Sequence, residues 1–360
     1  MKLLNPHLPS QSDIQKHLSD IFNAGIYSNF GPKYDEYKSY LSNFLNVNNN
    51  SIELFSSGTF ALYAAIMSYK HLHSLQDKKY CILPSWTFVA TAQAIINAGF
   101  EPYFIDTDLG KMYPTLTELQ SVPKNIIENT AMAIFVSPFG SGVTVDADTQ
   151  NFFDKHKIFF MLDNAAAISN FNPNHTAAYS LHATKFLGIG EGGFLYSTDD
   201  EFIRLARSFS NFGFFNSRSS DGFGVNGKLS EFSCVIGLTQ LEQYNQTRMA
   251  YINAAKFYIN KIPNLIQENW GDSWFSNTCV ITLDNPQLKQ SLIKIFNANH
   301  IPYRDWWGSG CHNEPFFSSF EKVNHLSNTD HLASTTLGIP FATNFEVKDF
   351  SLICNLINSL

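Results

Sequence analysis

The composition of this 360-residue chain is that of a large, apolar and weakly acidic protein. Hydrophobic residues make up 44% and charged residues only 15%, so much of the surface is expected to be buried, part of it in a subunit interface. The formal net charge of -7 and the pI near 5.9 argue against nucleic acid or an anionic membrane as a main partner, because both require a basic face.

Targeting and metal-binding patterns are not found in the sequence. The first residues lack the apolar run of a signal peptide, and no later stretch approaches the length of a membrane span. The five cysteines form no closely spaced pair, so neither a disulfide framework nor a metal site is expected. We therefore expect a soluble protein of the reducing cytoplasm.

Short apolar runs alternate with helical patterns between about residues 50 and 200. Because their apolar residues are consecutive, they predict strands buried on both faces and a mostly parallel α/β sheet. Ligands are then expected at the carboxyl ends of the strands. The runs are 52–55, 80–83, 103–105, 133–136, 158–162 and 194–196.

The second half of the chain has a different order of elements. Residues 209–228 predict a long loop, and a helix is expected near Leu229, with Ser230 and Glu231 in its first turn. A strand at 279–283 and helices at 287–298 and 347–360 follow. We therefore expect a large domain over residues 1–245 and a smaller C-terminal α/β domain over residues 246–360.

Four features at the ends of predicted elements have chemical possibilities. Lys185 lies among small polar residues before the glycine-rich segment 190–193. Asp163 ends an apolar run, where its carboxylate requires a positive partner. Residues Ser57, Gly58 and Thr59 precede a helical pattern, whose N–H groups and dipole attract anions. Trp86 offers a flat ring after a strand.

Each feature also has an ordinary interpretation when taken alone. The lysine is then a surface charge, the aspartate a helix cap, the Ser-Gly-Thr segment a simple cap and the tryptophan a core residue. Together they match the needs of pyridoxal phosphate (PLP), which requires a lysine, a carboxylate for its pyridine nitrogen, a phosphate cradle and a group against its ring.

Several segments in order resemble the DegT-like nucleotide-sugar aminotransferases of PLP fold type I, over nearly the whole chain. The resemblance implies a large domain with a mostly parallel, mixed sheet flanked by helices, and a smaller C-terminal α/β domain. The matching segments are 29–32, 56–62, 84–91, 163–166, 182–185 with 190–193, and 224–231.

The resemblance implies a role for each matching residue. Lys185 is expected to be the catalytic lysine that forms an imine with PLP, and Asp163 the partner of the pyridine nitrogen. The remaining cofactor contacts would be Trp86 on the ring and Gly58, Thr59 and Ser180 at the phosphate. Asn226 is expected to reach the phosphate of the neighbouring subunit, which implies a homodimer with shared active sites.

One position differs from the family's pattern. Relatives commonly carry Gln or His where this chain has Ala166, near the ring hydroxyl of the cofactor. An alanine side chain cannot make that hydrogen bond, so the ring oxygen must find another donor or water.

The resemblance further implies a ping-pong transamination from L-glutamate to a nucleotide-linked keto sugar. Arginine suits a carboxylate or diphosphate and tryptophan a base or sugar face, although tryptophans here could equally be packing residues. The residues expected to bind substrate are Asn29, Phe30, Gly31, Arg304, Trp306, Trp307 and His312.

The segment before Lys185 resembles relatives that aminate C4, and the Trp-Trp-Gly segment resembles enzymes forming dTDP-4-amino-4,6-dideoxyglucose. The favoured acceptor is therefore dTDP-4-keto-6-deoxyglucose, for surface polysaccharides such as the O-antigen of lipopolysaccharide. The alternatives left open are a 3-keto sugar, a UDP or GDP carrier, and a non-catalytic regulatory protein on the same scaffold.

Overall fold

Nine strands form two sheets in the computed structural model, which describes residues 1–73, 75, 77–214 and 217–360. The first seven strands are β1 (Ile52–Phe55), β2 (Tyr80–Pro84), β3 (Glu101–Ile105), β4 (Thr130–Val136), β5 (Phe159–Asp163), β6 (Ala177–Ser180) and β7 (Gly193–Tyr196). The last two are β8 (Cys279–Thr282) and β9 (Thr336–Ile339).

The large sheet has the order β1-β7-β6-β5-β4-β2-β3. Its pairs are parallel except that β7 runs antiparallel to both β1 and β6. The predicted mostly parallel sheet is thus observed, and its six predicted strands overlap β1 to β5 and β7. The sequence reading missed β6, whose residues Ala-Ala-Tyr-Ser include no β-branched side chain.

Helices cover both faces of the large sheet and form most of the C-terminal half. The described helices of the first half are α1 (Gln11–Ala24), α2 (Pro32–Phe44), α3 (Gly58–His73), α4 (Val89–Asn97), α5 (Leu116–Gln120), α6 (Lys124–Glu128), α7 (Ala147–His156) and α8 (Asp200–Phe209). The later ones are α9 (Glu231–Glu242), α10 (Tyr244–Lys261), α11 (Pro286–Ala298), α12 (Ser327–Thr335) and α13 (Val347–Ile357).

The predicted long loop lies between α8 and α9, and its residues Phe215 and Asn216 are outside the described residues. The helix expected near Leu229 begins at Glu231. Ser230 is its N-cap rather than a first-turn residue, because its hydroxyl accepts the N–H of Ser233.

The C-terminal half packs around the antiparallel pair β8-β9. The helices α9 and α10 are separated only by Gln243, close to the predicted domain boundary. The N-terminal segment joins this half, because the N–H of Phe341 donates to the carbonyl of Leu3 at 3.0 Å. The division at residues 245 and 246 stays a prediction.

Membrane-spanning helices were also sought. Across the described ranges, none of the helices is both long and apolar enough to cross a bilayer.

Candidate active site

A cavity of about 440 Å³ lies at the carboxyl ends of the large sheet's parallel strands. Its floor is formed by the segments that follow β1, β2, β4, β5 and β6. Its rim comes from the C-terminal half. The predicted residues that line it are Gly58, Thr59, Asp163, Ser180, Lys185, Arg304, Trp306 and Trp307.

Asp163 is the last residue of β5 and its side chain is buried. One carboxylate oxygen accepts the hydroxyl of Thr91 at 2.7 Å, and the other accepts the N–H of Ala165 at 3.0 Å. Burial raises the pKa of Asp163, while these two hydrogen bonds and the charge of Lys185 lower it. Thr91, which the sequence reading missed, thus holds the carboxylate in place.

Lys185 lies in the turn between β6 and β7 and is half-buried in the cavity wall. Its N–H donates to the carbonyl of His182 at 2.8 Å, and its own carbonyl accepts the N–H of Gly188 at 3.0 Å. Burial lowers the pKa of its amine, and the carboxylate of Asp163 opposes this shift. A lowered pKa increases the neutral amine fraction, which is the nucleophilic form.

The first turn of α3 directs backbone N–H groups into the cavity beside Ser180, an arrangement that suits an anion. The hydroxyl of Ser57 caps the helix by accepting the N–H of Phe60 at 3.0 Å. This leaves the N–H groups of Gly58 and Thr59 without an acceptor among the described residues. A methyl group on Gly58 would lie 2.8 Å from Cβ of Ser180, so only glycine allows this close approach.

Trp86 does not lie in the cavity, which corrects the expectation that it stacks on the cofactor. Only 2% of it is exposed, because its ring packs against Phe139 and Trp307 behind the wall. The chain turns after it, where the N–H of Thr87 donates to Ser85, and Phe88 faces the cavity instead with 57% exposure.

His312 is also outside the cavity. The side chain of His312 is buried, and its ring Nδ1 lies 2.6 Å from the hydroxyl of Ser85. The backbone N–H of His312 donates to the same hydroxyl oxygen at 3.2 Å. The expected substrate contact is therefore corrected, since the ring joins the segment after β2 to the C-terminal half.

The predicted segment Asn29, Phe30 and Gly31 does not line the cavity of its own chain. The carboxylate of Glu231 accepts the N–H groups of residues 33 and 34, which fixes the start of α2 against α9. The ring of Phe30 packs under the guanidinium of Arg207 at 3.8 Å. These contacts hold the segment away from the cavity of its own chain, and its contact with substrate stays a prediction.

Asn226 is exposed and pairs with Asn211 in the loop before α9. It does not line the cavity of its own chain. Large apolar side chains near it in the loop and in α9 are also exposed. They are Phe212, Phe223, Val225 and Phe232.

The rim of the cavity carries the remaining aromatic and charged groups. Trp307 stacks on Phe139 with ring centroids 4.2 Å apart, and the guanidinium of Arg304 lies 5.0 Å from the ring of Trp306. Ala166 lies in the wall and brings no polar side-chain atom. Within the described ranges, no group of three or more His, Cys, Asp or Glu residues is arranged to hold a metal ion.

A model of the DegT/DnrJ/EryC1/StrS aminotransferase family matches residues 9–358. The chain belongs to this family. Membership confirms the predicted enzyme class, a PLP-dependent aminotransferase. A relative from Shigella dysenteriae, named dTDP-4-amino-4,6-dideoxy-D-glucose transaminase, is 27% identical in an alignment of 374 positions that covers 99% of this chain and 97% of that protein. GDP-perosamine synthase of Vibrio cholerae is 22% identical over 94% of this chain and 90% of its own.

Solved structures show the same fold. The crystal structure of NtdA from Bacillus subtilis, with bound cofactor PMP, matches with a TM-score of 0.82 and 18% identity, over 99% of this chain and 86% of that one. The expected large mixed sheet flanked by helices is therefore confirmed as the aminotransferase fold.

The residues in the cavity fit PLP. A buried carboxylate, held by two hydrogen bonds, suits a protonated pyridine nitrogen. Two N–H groups at the start of α3, which have no acceptor among the described residues, suit a phosphate, and the half-buried amine of Lys185 suits an aldehyde.

Proposed function

We propose that this protein transfers an amino group from L-glutamate to C4 of dTDP-4-keto-6-deoxyglucose. The observation that carries the proposal is that Lys185, Asp163 and the start of α3 line one cavity. The fit of these groups to a PLP aminotransferase site supports the proposed transfer of an amino group. The relative from Shigella dysenteriae supports the choice of sugar.

In this proposal, four groups of the chain hold the cofactor. Asp163 binds the pyridine nitrogen, Gly58 and Thr59 bind the phosphate through their N–H groups, and Ser180 adds its hydroxyl. Phe88 takes the place against the ring that the sequence favoured for Trp86, because its side chain faces the cavity.

Lys185 is proposed to be the nucleophile and the group that transfers the proton. When bound, PLP supplies an aldehyde that receives the amine and a ring that accepts an electron pair. Nζ of Lys185 would hold this aldehyde and, once glutamate takes its place, would move the proton at the α-carbon of glutamate. Water would then release 2-oxoglutarate and leave the amino group on the cofactor, which would carry it to the keto carbon of the sugar in the second half-reaction.

Arg304, Trp306 and Trp307 are proposed to contact the substrate, since all three line the rim from the C-terminal half. A guanidinium suits the negative oxygens of a diphosphate or carboxylate, and an indole suits a base or sugar face. The product is proposed to enter surface polysaccharide, and the reaction to take place in the cytoplasm.

An assay with separate keto sugars tests the choice of substrate. Purified protein, glutamate and dTDP-4-keto-6-deoxyglucose should give a sugar aminated at C4, detected by mass spectrometry and located by NMR. The GDP-linked and UDP-linked 4-keto sugars and a 3-keto sugar are the comparison arms. Turnover only with the GDP sugar would instead place this protein with the relative from Vibrio cholerae.

We also propose a homodimer with shared active sites. The exposed aromatic side chains near Asn226 are a surface that a second copy would bury, and Asn226 itself is exposed outside its own cavity. In the dimer, Asn226 of one copy reaches the phosphate site of the other.

Mixed dimers test this arrangement. Lys185→Ala and Asn226→Asp each inactivate their own homodimer, the second because a carboxylate repels the phosphate. In a mixed dimer with shared sites, one site keeps both Lys185 and Asn226, so random mixing restores about a quarter of wild-type activity. No recovery in dimers shown by mass spectrometry to be mixed would refute the shared site.

A further inference from the structure

Gly338, in the strand β9, lies directly behind the cavity rim. Its N–H donates to the carbonyl of Arg304 at 2.9 Å, and its carbonyl accepts the N–H of Arg304 at 3.0 Å. This pair of bonds fixes the backbone of Arg304 against β9, in the C-terminal half.

The missing side chain of Gly338 makes room for the indole of Trp306. A methyl group there would overlap Nε1 of this indole and lie 2.5 Å from its Cδ1. The indole N–H is buried and has no hydrogen-bond partner among the described residues. The indole thus packs on the bare backbone of Gly338, and no hydrogen bond would hold it if it were displaced.

The indole of Trp306 also lies beside the guanidinium of Arg304. The guanidinium is 5.0 Å from the ring of Trp306, and both side chains line the cavity. In the part of the chain that the structure describes, no carboxylate forms an ion pair with Arg304. The adjacent Asp305 is engaged by Lys289 at 2.6 Å, and the same amine donates to the carbonyl of Ala333 at 2.7 Å.

We propose that Gly338 is a positioning residue for substrate binding. By admitting the indole of Trp306, it holds the unpaired guanidinium of Arg304 at the rim, where it binds a substrate oxyanion. The proposal rests on the proposed function for the identity of the substrates. Both contain paired negative oxygens that suit a guanidinium, in the carboxylates of glutamate and in the diphosphate of the nucleotide sugar.

The test compares Gly338→Ala with wild type on the cofactor-loaded protein. One arm measures binding of dTDP by calorimetry, and the other measures the glutamate concentration that half-saturates the single-turnover change in cofactor absorbance. Loss of charged hydrogen bonds should weaken binding of either dTDP or glutamate about tenfold or more. Binding of the other ligand and the rate at saturation should stay unchanged. The ligand whose binding is weakened is the one whose negative oxygens Arg304 contacts. Arg304→Gln should weaken binding of the same ligand.

A second substitution separates positioning from general damage to the fold. Trp306→Ala removes the whole indole, including Nε1 and Cδ1, the atoms that a methyl group on Gly338 would meet. Adding Gly338→Ala to Trp306→Ala should therefore have little further effect on binding of either ligand. Gly110→Ala is the matched control, because a methyl group there makes only an ordinary contact at 3.5 Å.

The proposal is overturned if Gly338→Ala leaves binding of both dTDP and glutamate unchanged, or weakens binding of both equally. It is also overturned if Gly338→Ala has the same effect in the wild-type background and in the Trp306→Ala background. Neither arm requires turnover of a keto sugar. A wild-type protein that fails to aminate the sugar therefore refutes the proposed function, while the two arms still report on Gly338.

Discussion

The floor and the rim of the cavity are built in different ways. At the floor, Asp163 and the start of α3 are fixed by hydrogen bonds at the ends of buried strands. At the rim, which belongs to the C-terminal half, two hydrogen bonds fix only the backbone of Arg304 on β9. The indole of Trp306 packs on Gly338, and its N–H has no hydrogen-bond partner among the described residues. In the proposed function, the floor therefore holds the cofactor and carries the chemistry, while the rim contacts the substrate.

Removal of the lysine at the floor should have the largest effect. Lys185→Ala should lower kcat by more than about 10⁴-fold, because the chain loses both its nucleophile and the group that moves the proton. Cofactor should still bind through its phosphate. Steady-state rates and absorbance spectra check this, with Lys124→Ala as control, since that side chain is exposed on α6. Residual activity within tenfold of wild type would contradict the role of Lys185.

Neutralising the buried carboxylate should have the next largest effect. Asp163→Asn should lower kcat by about 10²- to 10³-fold, since an amide cannot stabilise a positive charge on the ring nitrogen. The control is Asp146→Asn, where the aspartate is the exposed N-cap of α7. A loss no larger than that of the control would remove Asp163 from the catalytic site.

A methyl group at the phosphate cradle should weaken the cofactor rather than the chemistry. Gly58→Ala should raise the Kd of PLP about ten- to a hundredfold, because the new group crowds Ser180. Saturating cofactor should restore most of kcat. Titration of the apoprotein by absorbance, with Gly110→Ala as control, measures the change, and an unaltered Kd would show that phosphate binds elsewhere.

The smallest expected effect comes from the hydroxyl that supports Asp163. Thr91→Val removes a hydrogen bond that lowers the pKa of this carboxyl, so its pKa should rise further. Asp163 would then become protonated at a higher pH, and the acidic limb of the kcat profile should move to higher pH. Rates on the plateau should change by less than about threefold.

Thr239→Val is the matched control, because the only hydrogen bond of the Thr239 hydroxyl among the described residues goes to the carbonyl of Val235, within α9. If the acidic limb of the kcat profile of Thr91→Val stays in place or moves to lower pH, protonation of Asp163 does not control that limb.

Local patterns in the sequence predicted the floor well. Consecutive apolar residues predicted six strands of the large sheet, and the features after them predicted which residues meet at their carboxyl ends. The strand β6 was missed because Ala-Ala-Tyr-Ser includes only one residue with a strand preference, Tyr179. Its position depends on pairing with β5 and β7, which lie apart from it in sequence.

The side-chain directions could not be predicted in the same way. Trp86 and Phe88 are two residues apart, and the turn at Thr87 buries the first and exposes the second. The rim depends on contacts between residues more than 30 positions apart, such as Trp306 with Gly338. Nothing in the local sequence around either residue indicates that contact.

The central claim is that Lys185 is the covalent attachment point of the cofactor at the floor. Reduction of the cofactor-loaded protein with borohydride, followed by peptide mapping, tests this claim directly. The absorbance of the bound cofactor should bleach, and the mass of the reduced cofactor should appear on Lys185. Label on a different lysine, or no label after incubation with added PLP, would contradict the account.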